Sequence, residues 1–222
     1  MKIIARIYND FTTRFGVPRQ SGLSEITSVI CMEPDYRVAD AFRGMEGFSH
    51  IWLLWEFSET KRDTWSPTVR PPRLGGNTRM GVFATRSPFR PNPIGLSSVK
   101  LEQFVPDSPD GPLLYVSGAD LMNGTPIYDI KPYLAFTDAH PEALGGFADP
   151  VKDYALEVVF PEALLALIPK EKHKALFAVL ENDPRPSYQK DPSRTYGVSF
   201  GGFDIRFTVS ECTLSVSEVI KL

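Results

Sequence analysis

The chain has 222 residues, 42% of them hydrophobic and 23% charged, with a formal net charge of −3. This composition is typical of a folded soluble protein and excludes a disordered chain. No apolar stretch approaches the length of a membrane span, and MKIIARIYND at the start lacks a signal-peptide core. Cys31 and Cys212 lie far from each other and from the three histidines, so we expect a cytoplasmic protein with no metal site.

The positive charge is concentrated in one part of the chain. Residues 61–100 hold eight basic residues and one acidic residue, a net charge of +7, and the remainder therefore carries −10. A basic segment on an acidic protein can bind a polyanion such as a nucleic acid. A solvated arginine-rich loop fits the charge pattern equally well.

The first two-thirds of the chain has the pattern of short strands. We predict strands over residues 2–8, 27–32, 47–57, 80–85, 97–104, 113–118 and 127–134, and one helix over residues 35–45. Both alternating sets of residues in 47–57 are largely apolar, which predicts a strand buried on both faces. Many short strands with few helices indicate a barrel or a sandwich.

The last third of the chain has a different pattern. Residues 138–152, with two prolines and a Gly-Gly pair, are predicted to be a linker. Helical periodicity follows, and then a strand pattern, over residues 161–168, 170–181, 203–209 and 213–220. We therefore divide the chain into residues 1–149 and a small α+β domain over residues 150–222.

The most distinctive stretch is residues 70–96, RPPRLGGNTRMGVFATRSPFRPNPIGL, which interleaves five arginines, five prolines and four glycines. Proline fixes the backbone and glycine allows its close approach, so rigid open loops are predicted. The planar guanidinium groups suit carboxylate or phosphate ligands. A turn-rich connection with scattered surface arginines is the alternative that remains open.

Two shorter segments have related chemistry. Pro18-Arg19-Gln20 follows the first strand and offers a guanidinium and an amide to a polar ligand. Asp129 and Lys131 alternate along a predicted strand, so they are expected to share a face, as ligand groups or as an exposed ion pair. His50 lies within an apolar strand and is interpreted as a hydrogen-bonded core histidine.

Common nucleotide and hydrolase motifs are missing from the sequence. It has no Gly-x-Gly-x-x-Gly between a strand and a helix, no P-loop lysine and no Gly-x-Ser-x-Gly. The residues by themselves therefore predict a β-rich domain whose basic loops bind an anion, and they do not name a reaction.

Four segments, GVPRQ, GFSHIWLLWEF, RPPRLGGNTRMGVFATRSPFRPNPIGLS and NGTPIYDIKPY, resemble the TrmO family of tRNA (adenine-37-N6)-methyltransferases. The similarity covers about residues 1–137 and resumes at residues 183–197. It implies a mainly β fold, with a β-barrel domain that binds S-adenosylmethionine, a small α+β C-terminal domain, and a homodimer. It also implies methylation of threonylcarbamoyl-modified adenosine 37 in the anticodon loop of tRNA.

The resemblance assigns a cofactor site to residues shared with the family motifs. These are Pro18, Arg19, Gln20, Ser58, Glu59, Arg86, Leu96, Pro126, Ile127, Tyr128 and Asp129. Some relatives carry His-Gln where this chain has Ser58-Glu59, so side-chain contacts at those two positions stay open. We expect Arg19 or Arg86 to pair with the cofactor carboxylate, and Asp129 with its ammonium or a ribose hydroxyl.

Asn92 and Asp129 are the candidate catalytic residues. Methyl transfer is an in-line displacement accelerated mainly by positioning, and the weakly nucleophilic N6 must also lose a proton. The Asn92 side chain and a neighbouring carbonyl can accept a hydrogen bond from N6–H, although a simple turn dipeptide fits equally well. The residues expected to bind the anticodon-loop backbone are Arg70, Arg73, Arg79 and Arg90.

Two other functions fit the same residues. One is a non-catalytic barrel that binds RNA through its arginine loops. The other is a methyltransferase of the same fold that acts on a different substrate, because loop shape decides which acceptor is used.

Overall fold

The computed structural model describes residues 1–60, 64–71, 74, 78–151, 154–185 and 191–222. Its strands are β1 (Ala5–Tyr8), β2 (Thr27–Met32), β3 (His50–Glu56), β4 (Thr68–Val69), β5 (Met80–Gly81), β6 (Ile94–Val105), β7 (Leu113–Ser117), β8 (Pro126–Pro132), β9 (Glu157–Val159), β10 (Tyr196–Phe200), β11 (Phe203–Ser210) and β12 (Thr213–Lys221). Its α-helices are α1 (Ala135–Asp138), α2 (Glu162–Leu165) and α3 (Lys170–Glu181).

Six strands close into a barrel in the order β1-β2-β7-β6-β3-β8, and every neighbouring pair is antiparallel. The predicted mainly β fold with a barrel is therefore confirmed. Ile51 and Leu53 of β3 are fully buried inside, together with Trp55. The intervening Trp52 and Leu54 face outward and stay partly exposed, so only one face of this strand is fully buried.

Trp55 needs a glycine opposite it on β6. Trp55 and Gly95 are register partners, and a Cβ at Gly95 would lie 2.2 Å from the Trp55 ring. The indole therefore lies directly against the β6 backbone. From this position its Nε1 donates a hydrogen bond of 2.9 Å to Ser97 Oγ, which is also buried.

The C-terminal strands form a separate sheet, in the order β10-β11-β12-β9, with its own hydrophobic core. Leu176 and Leu180 of α3 are fully buried in that core. Phe11 and Ile26, from the loop between β1 and β2, are buried in the same cluster. This loop is thus packed against the C-terminal sheet although it begins and ends in the barrel.

Two predicted elements differ from the structure. Residues 35–45 do not form an α-helix. Three 3-10 turns, Pro34–Tyr36, Ala39–Phe42 and Met45–Gly47, take its place, because the extended backbone of Val38 interrupts the first helical run and the positive φ of 91° at Gly44 interrupts the second. The strand predicted over residues 80–85 stops at Gly81, and Val82–Ala84 forms a 3-10 turn. Strands β4, β9 and β10 were not predicted. Among the described residues no helix is long and apolar enough to cross a membrane.

Candidate active site

Three long loops leave the barrel at the same end. Antiparallel pairing sets the last residues of β1, β3 and β7 beside the first residues of β2, β6 and β8. The loops between them are residues 9–26, 57–93 and 118–125. They contain the predicted site residues that do not lie in β6 or β8. The fold thus gathers these residues at one end of the barrel.

Main-chain hydrogen bonds join the loops to each other. Gly22 N–H donates to Gly118 O at 2.9 Å, and Asn123 N–H donates to Phe11 O at 2.9 Å. Gly118 has a φ of 83°, and a Cβ there would lie 3.3 Å from Gly22 N. Glycine at this position therefore lets the two loops approach backbone to backbone.

Gln20 and Arg86, both predicted to bind the cofactor, are in direct contact, because Arg86 Nη1 donates to Gln20 Oε1. Beside them lies a carboxylate that the sequence analysis did not single out. Asp120 Oδ1 accepts a hydrogen bond of 2.5 Å from Ser97 Oγ, which itself accepts one from Trp55 Nε1. A chain of hydrogen bonds therefore runs from the barrel core to the site.

Burial raises the pKa of the Asp120 carboxyl, and this is the largest influence on it. The hydrogen bond from Ser97, the main-chain N–H groups of Asp120 and Ser21, and the charge of Arg86 oppose the rise. Asp120 thus touches β6 and the loop next to Gln20 while it attracts Arg86. The only sequence signal for it was a polar serine, Ser97, within an apolar strand.

Arg19 has a different role from Arg86 in the structure. Its Nη2 donates to the main-chain oxygens of Asp183 at 2.8 Å and Arg185 at 3.4 Å. Asp183 and Arg185 are themselves paired at 2.8 Å and largely buried. The Arg19 guanidinium therefore ties its loop to the C-terminal domain, whereas the exposed Arg86 is directed to the loop end of the barrel.

Leu96 and Asp129 lie on the outer face of the barrel. Both are register partners of the outward-facing Leu54, and 58% of Leu96 is exposed. Asp129 pairs with Lys131 at 3.0 Å, which confirms that these two residues share a face. Next to them is an open groove of about 340 Å³ lined by Trp52, Leu54, Leu96, Lys131, Thr137, Asp138 and His140.

A β-bulge changes the register of β8 with β3 near the start of β8. The register with β3 shifts between Leu54 and Trp55, so that Tyr128 falls outside the ladder. Burial and a hydrogen bond to the Glu56 carboxylate raise the pKa of Tyr128 to about 12. Pro126 and Ile127 are buried, and Ile127 belongs to the barrel core, so its side chain points away from the groove.

The segments that carry Ser58, Glu59 and Asn92 are joined at the end of β3. Ser58–Thr60 forms a 3-10 turn, and Phe57 N–H just before it donates to Pro93 O at 2.9 Å. Asn92 O accepts from Ile94 N–H at 2.8 Å. Both carbonyl oxygens of the Asn92-Pro93 dipeptide therefore accept hydrogen bonds within the fold, and the Asn92 side chain is exposed.

Comparison with known families accounts for nearly the whole chain. Residues 6–139 match the tRNA-methyltransferase O N-terminal domain, and residues 153–222 match the TrmO C-terminal domain. The chain belongs to the TrmO family.

Similar TrmO-family proteins come from several organisms. A tRNA (adenine(37)-N6)-methyltransferase of Escherichia coli K12 is 42% identical over 96% of this chain and 94% of its own. One from Eikenella corrodens is 46% identical over 79% of this chain and 98% of its own. The crystal structure of TrmO from Pseudomonas aeruginosa superposes with a TM-score of 0.79 at 30% identity, over 99% of this chain and 95% of that one.

The remaining predicted residues of this TrmO-family chain are Pro18, which is buried in the loop between β1 and β2, and the arginines assigned to RNA. Arg70 and Arg79 are exposed, and Arg79 Nη1 donates to Thr68 Oγ1 at 3.2 Å. Arg90 is half-buried and donates to the main-chain oxygens of Thr85 and Ser87, so it also supports its own loop. Arg73 lies outside the described residues.

The two remaining interpretations concern His50 and metals. His50 is hydrogen-bonded as predicted, to Ser49 Oγ at 2.9 Å, but it lies on the partly exposed outer face of β3 and not in the core. Within the described ranges, no group of three or more His, Cys, Asp or Glu side chains could hold a metal ion.

Proposed function

We propose that this protein transfers the methyl group of S-adenosylmethionine to N6 of adenosine 37 in tRNA. Membership of the TrmO family over both parts of the chain carries this conclusion, together with the 42% identical Escherichia coli methyltransferase. The finer substrate is adenosine 37 that already carries the threonylcarbamoyl group. The cytoplasm, where tRNA is modified, is the proposed location, and residues 1–149 and 150–222 are the proposed domains.

Residues at the loop end and on the outer face of the barrel fit the groups of the cofactor. S-adenosylmethionine supplies a methyl group on a positively charged sulfur, and it also carries a carboxylate and an ammonium group. The exposed Arg86 guanidinium, oriented by Gln20, suits the carboxylate. Asp129 suits the ammonium or a ribose hydroxyl, and Leu96 offers an apolar contact. The partly buried Asp120 holds the Gln20 loop and Arg86 in place.

Asn92 positions the acceptor in this proposal. Its exposed side-chain oxygen would accept a hydrogen bond from N6–H and so hold the acceptor nitrogen in one orientation. The proton of N6 leaves during or after methyl transfer. Asp129, which forms an ion pair with Lys131, is the carboxylate proposed to act together with Asn92.

The reaction is tested with the purified protein, S-adenosylmethionine and tRNA, followed by nucleoside mass spectrometry. We expect a single added methyl group on adenosine 37, and faster transfer to tRNA that carries the threonylcarbamoyl group. Binding of RNA with no heat on titration of S-adenosylmethionine at micromolar concentration would indicate the non-catalytic alternative. Methylation of another nucleoside or molecule would indicate the alternative substrate.

A homodimer is the proposed assembly, because one protomer presents the site residues on different faces. Ser97, the partner of Asp120, faces the barrel interior, whereas its neighbour Leu96 faces outward. The exposed Leu96 and Ile94 offer an apolar surface that a two-fold partner would cover. We expect a dimer of about twice 24.8 kDa in sedimentation velocity. Leu96→Glu should give a monomer, and the control Leu144→Glu, at a residue 93% exposed, should not.

Binding of tRNA is expected to depend on salt although the protein is acidic overall. Each phosphate neutralised on a single strand contributes about −0.7 to the slope of log affinity against log salt, so two to four contacts give about −1.4 to −2.8. Arg79→Ala should flatten this slope by about 0.7. Arg43→Ala, an exposed arginine in the loop 33–49 at the opposite barrel end, is the matched control. A slope near zero in the unmodified protein would contradict the assignment.

A further inference from the structure

Two large aromatic side chains lie exposed beside each other in the loop between β3 and β6. Trp65 is 50% exposed and Phe83 72% exposed, with ring centroids 6.0 Å apart and planes tilted by 35°. The β4–β5 hairpin holds them together, because Val82 N–H extends its ladder by donating to Pro67 O at 2.9 Å. Rings held in place at the surface indicate a binding surface.

The surroundings of these rings carry positive charge. Residues 64–101 contain six basic residues and no acidic residue. Arg70 and Arg86 are exposed in this stretch, and so is Arg79, which donates to Thr68 Oγ1 within the same hairpin. Flat apolar rings among arginines complement a molecule that has both phosphates and exposed aromatic faces. Unpaired RNA is such a molecule, because its bases stack on aromatic side chains while its backbone binds cations.

We propose that Trp65 and Phe83 form a stacking platform for an unpaired base of the RNA substrate. This inference rests on the proposed function and identifies where a base outside the reaction centre is held. A second copy of the chain is a poorer occupant, because a two-fold interface would place the same basic surface on both sides and bring like charges together. Stacking on these rings binds the RNA base by contacts that do not depend on salt.

The test measures methyl transfer to a synthetic anticodon stem-loop RNA. Trp65→Ala and Phe83→Ala should each raise the KM for RNA by about tenfold, with the KM for S-adenosylmethionine unchanged. Trp65→Phe and Phe83→Tyr, which keep a ring, should stay within about threefold of the unmodified protein. The matched control is Phe136→Ala, because Phe136 is 88% exposed but lies beyond the other end of the barrel.

Two further readouts separate stacking from other roles. RNA should quench tryptophan fluorescence in the unmodified protein, and Trp65→Phe should remove most of that change, even if no methyl group is transferred. The alanine variants should also keep the salt slope of the unmodified protein. An unchanged KM and unchanged quenching in the variants would overturn the proposal, as would loss of the dimer in sedimentation. Absence of transfer by the unmodified protein would count against the proposed function alone.

Discussion

Arg86→Ala is expected to weaken binding of S-adenosylmethionine by about 10- to 100-fold, because it removes a charge-assisted hydrogen bond to the cofactor carboxylate. Arg86 is suited to this role because its guanidinium is exposed at the loop end and oriented by Gln20. Isothermal titration calorimetry with the cofactor measures the effect directly. Arg86→Lys keeps the charge but not the planar fork, so it should recover only part of the affinity.

Arg79→Ala is the matched control for this experiment. It removes the same side chain from the same loop, where Arg79 contacts only Thr68 among the described hydrogen bonds. Its cofactor affinity should match that of the unmodified protein, while its salt slope for tRNA changes. Equal cofactor affinity in Arg86→Ala and the unmodified protein, with an unchanged melting temperature, would remove Arg86 from the site.

The barrel could be predicted from the sequence because its strands obey local rules. A continuous apolar run of strand length identified β3, but the burial on both faces that it predicted is wrong, because its residues alternate between the buried interior and a partly exposed outer face. The 3-10 turns over residues 34–47 were misread as a helix because their apolar residues are spaced as in one. Phe42 packs instead on Phe104 of β6, with ring centroids 5.5 Å apart, and this contact between distant residues cannot be read from spacing.

The candidate site was only partly predictable. Gln20 and Arg86 were each predicted from a separate motif. Their contact could not be predicted, because the two residues are 66 positions apart in the sequence and the closed barrel brings their loops together. Asp120 was missed because a single aspartate after a strand has no sequence signature of burial. Its surroundings are created by Ser97 and Trp55, which lie on two other strands.

Contacts between the loop of residues 9–26 and the C-terminal domain could not be predicted from the sequence. Arg19 is predicted at the cofactor, and in the structure its guanidinium binds main-chain oxygens at Asp183 and Arg185. Ion pairs from Lys172 to Asp10 and from Lys174 to Glu25 hold the same loop at both ends. Two segments of family motif, some 160 positions apart, thus form one structural unit that fixes the loop carrying Gln20.

Asp120→Ala and Asp120→Asn are expected to have different effects on stability but similar effects on function. Alanine removes the acceptor for Ser97 Oγ–H and Ser21 N–H, which should lower the free energy of unfolding by about 1–3 kcal/mol. Asparagine keeps the shape and one acceptor oxygen but removes the charge that attracts Arg86. Since small misplacement of positioning groups can cost about 100-fold in rate, we expect both variants to lose about 10- to 100-fold in kcat/KM.

The pH dependence of stability separates the effect of the Asp120 charge from the effect of its side-chain shape, which Asp120→Asn keeps. Burial raises its pKa in the folded protein, so its stabilising contribution is complete below the unfolded pKa and is lost as the pH rises through the folded pKa. Asp120→Asn has no such loss. Its melting temperature should therefore lie close to that of the unmodified protein in acid and rise relative to it toward neutral pH.

An Asp120→Asn variant that is more stable than the unmodified protein at neutral pH, yet binds S-adenosylmethionine more weakly, would identify Asp120 as a positioning residue. The protein would then keep an ionised carboxylate in a partly buried place at some cost in stability, because that charge holds Arg86 toward the cofactor. The opposite pattern, with lower stability at neutral pH and unchanged cofactor affinity, would assign Asp120 to the fold alone. Calorimetry and thermal unfolding on one preparation decide between them.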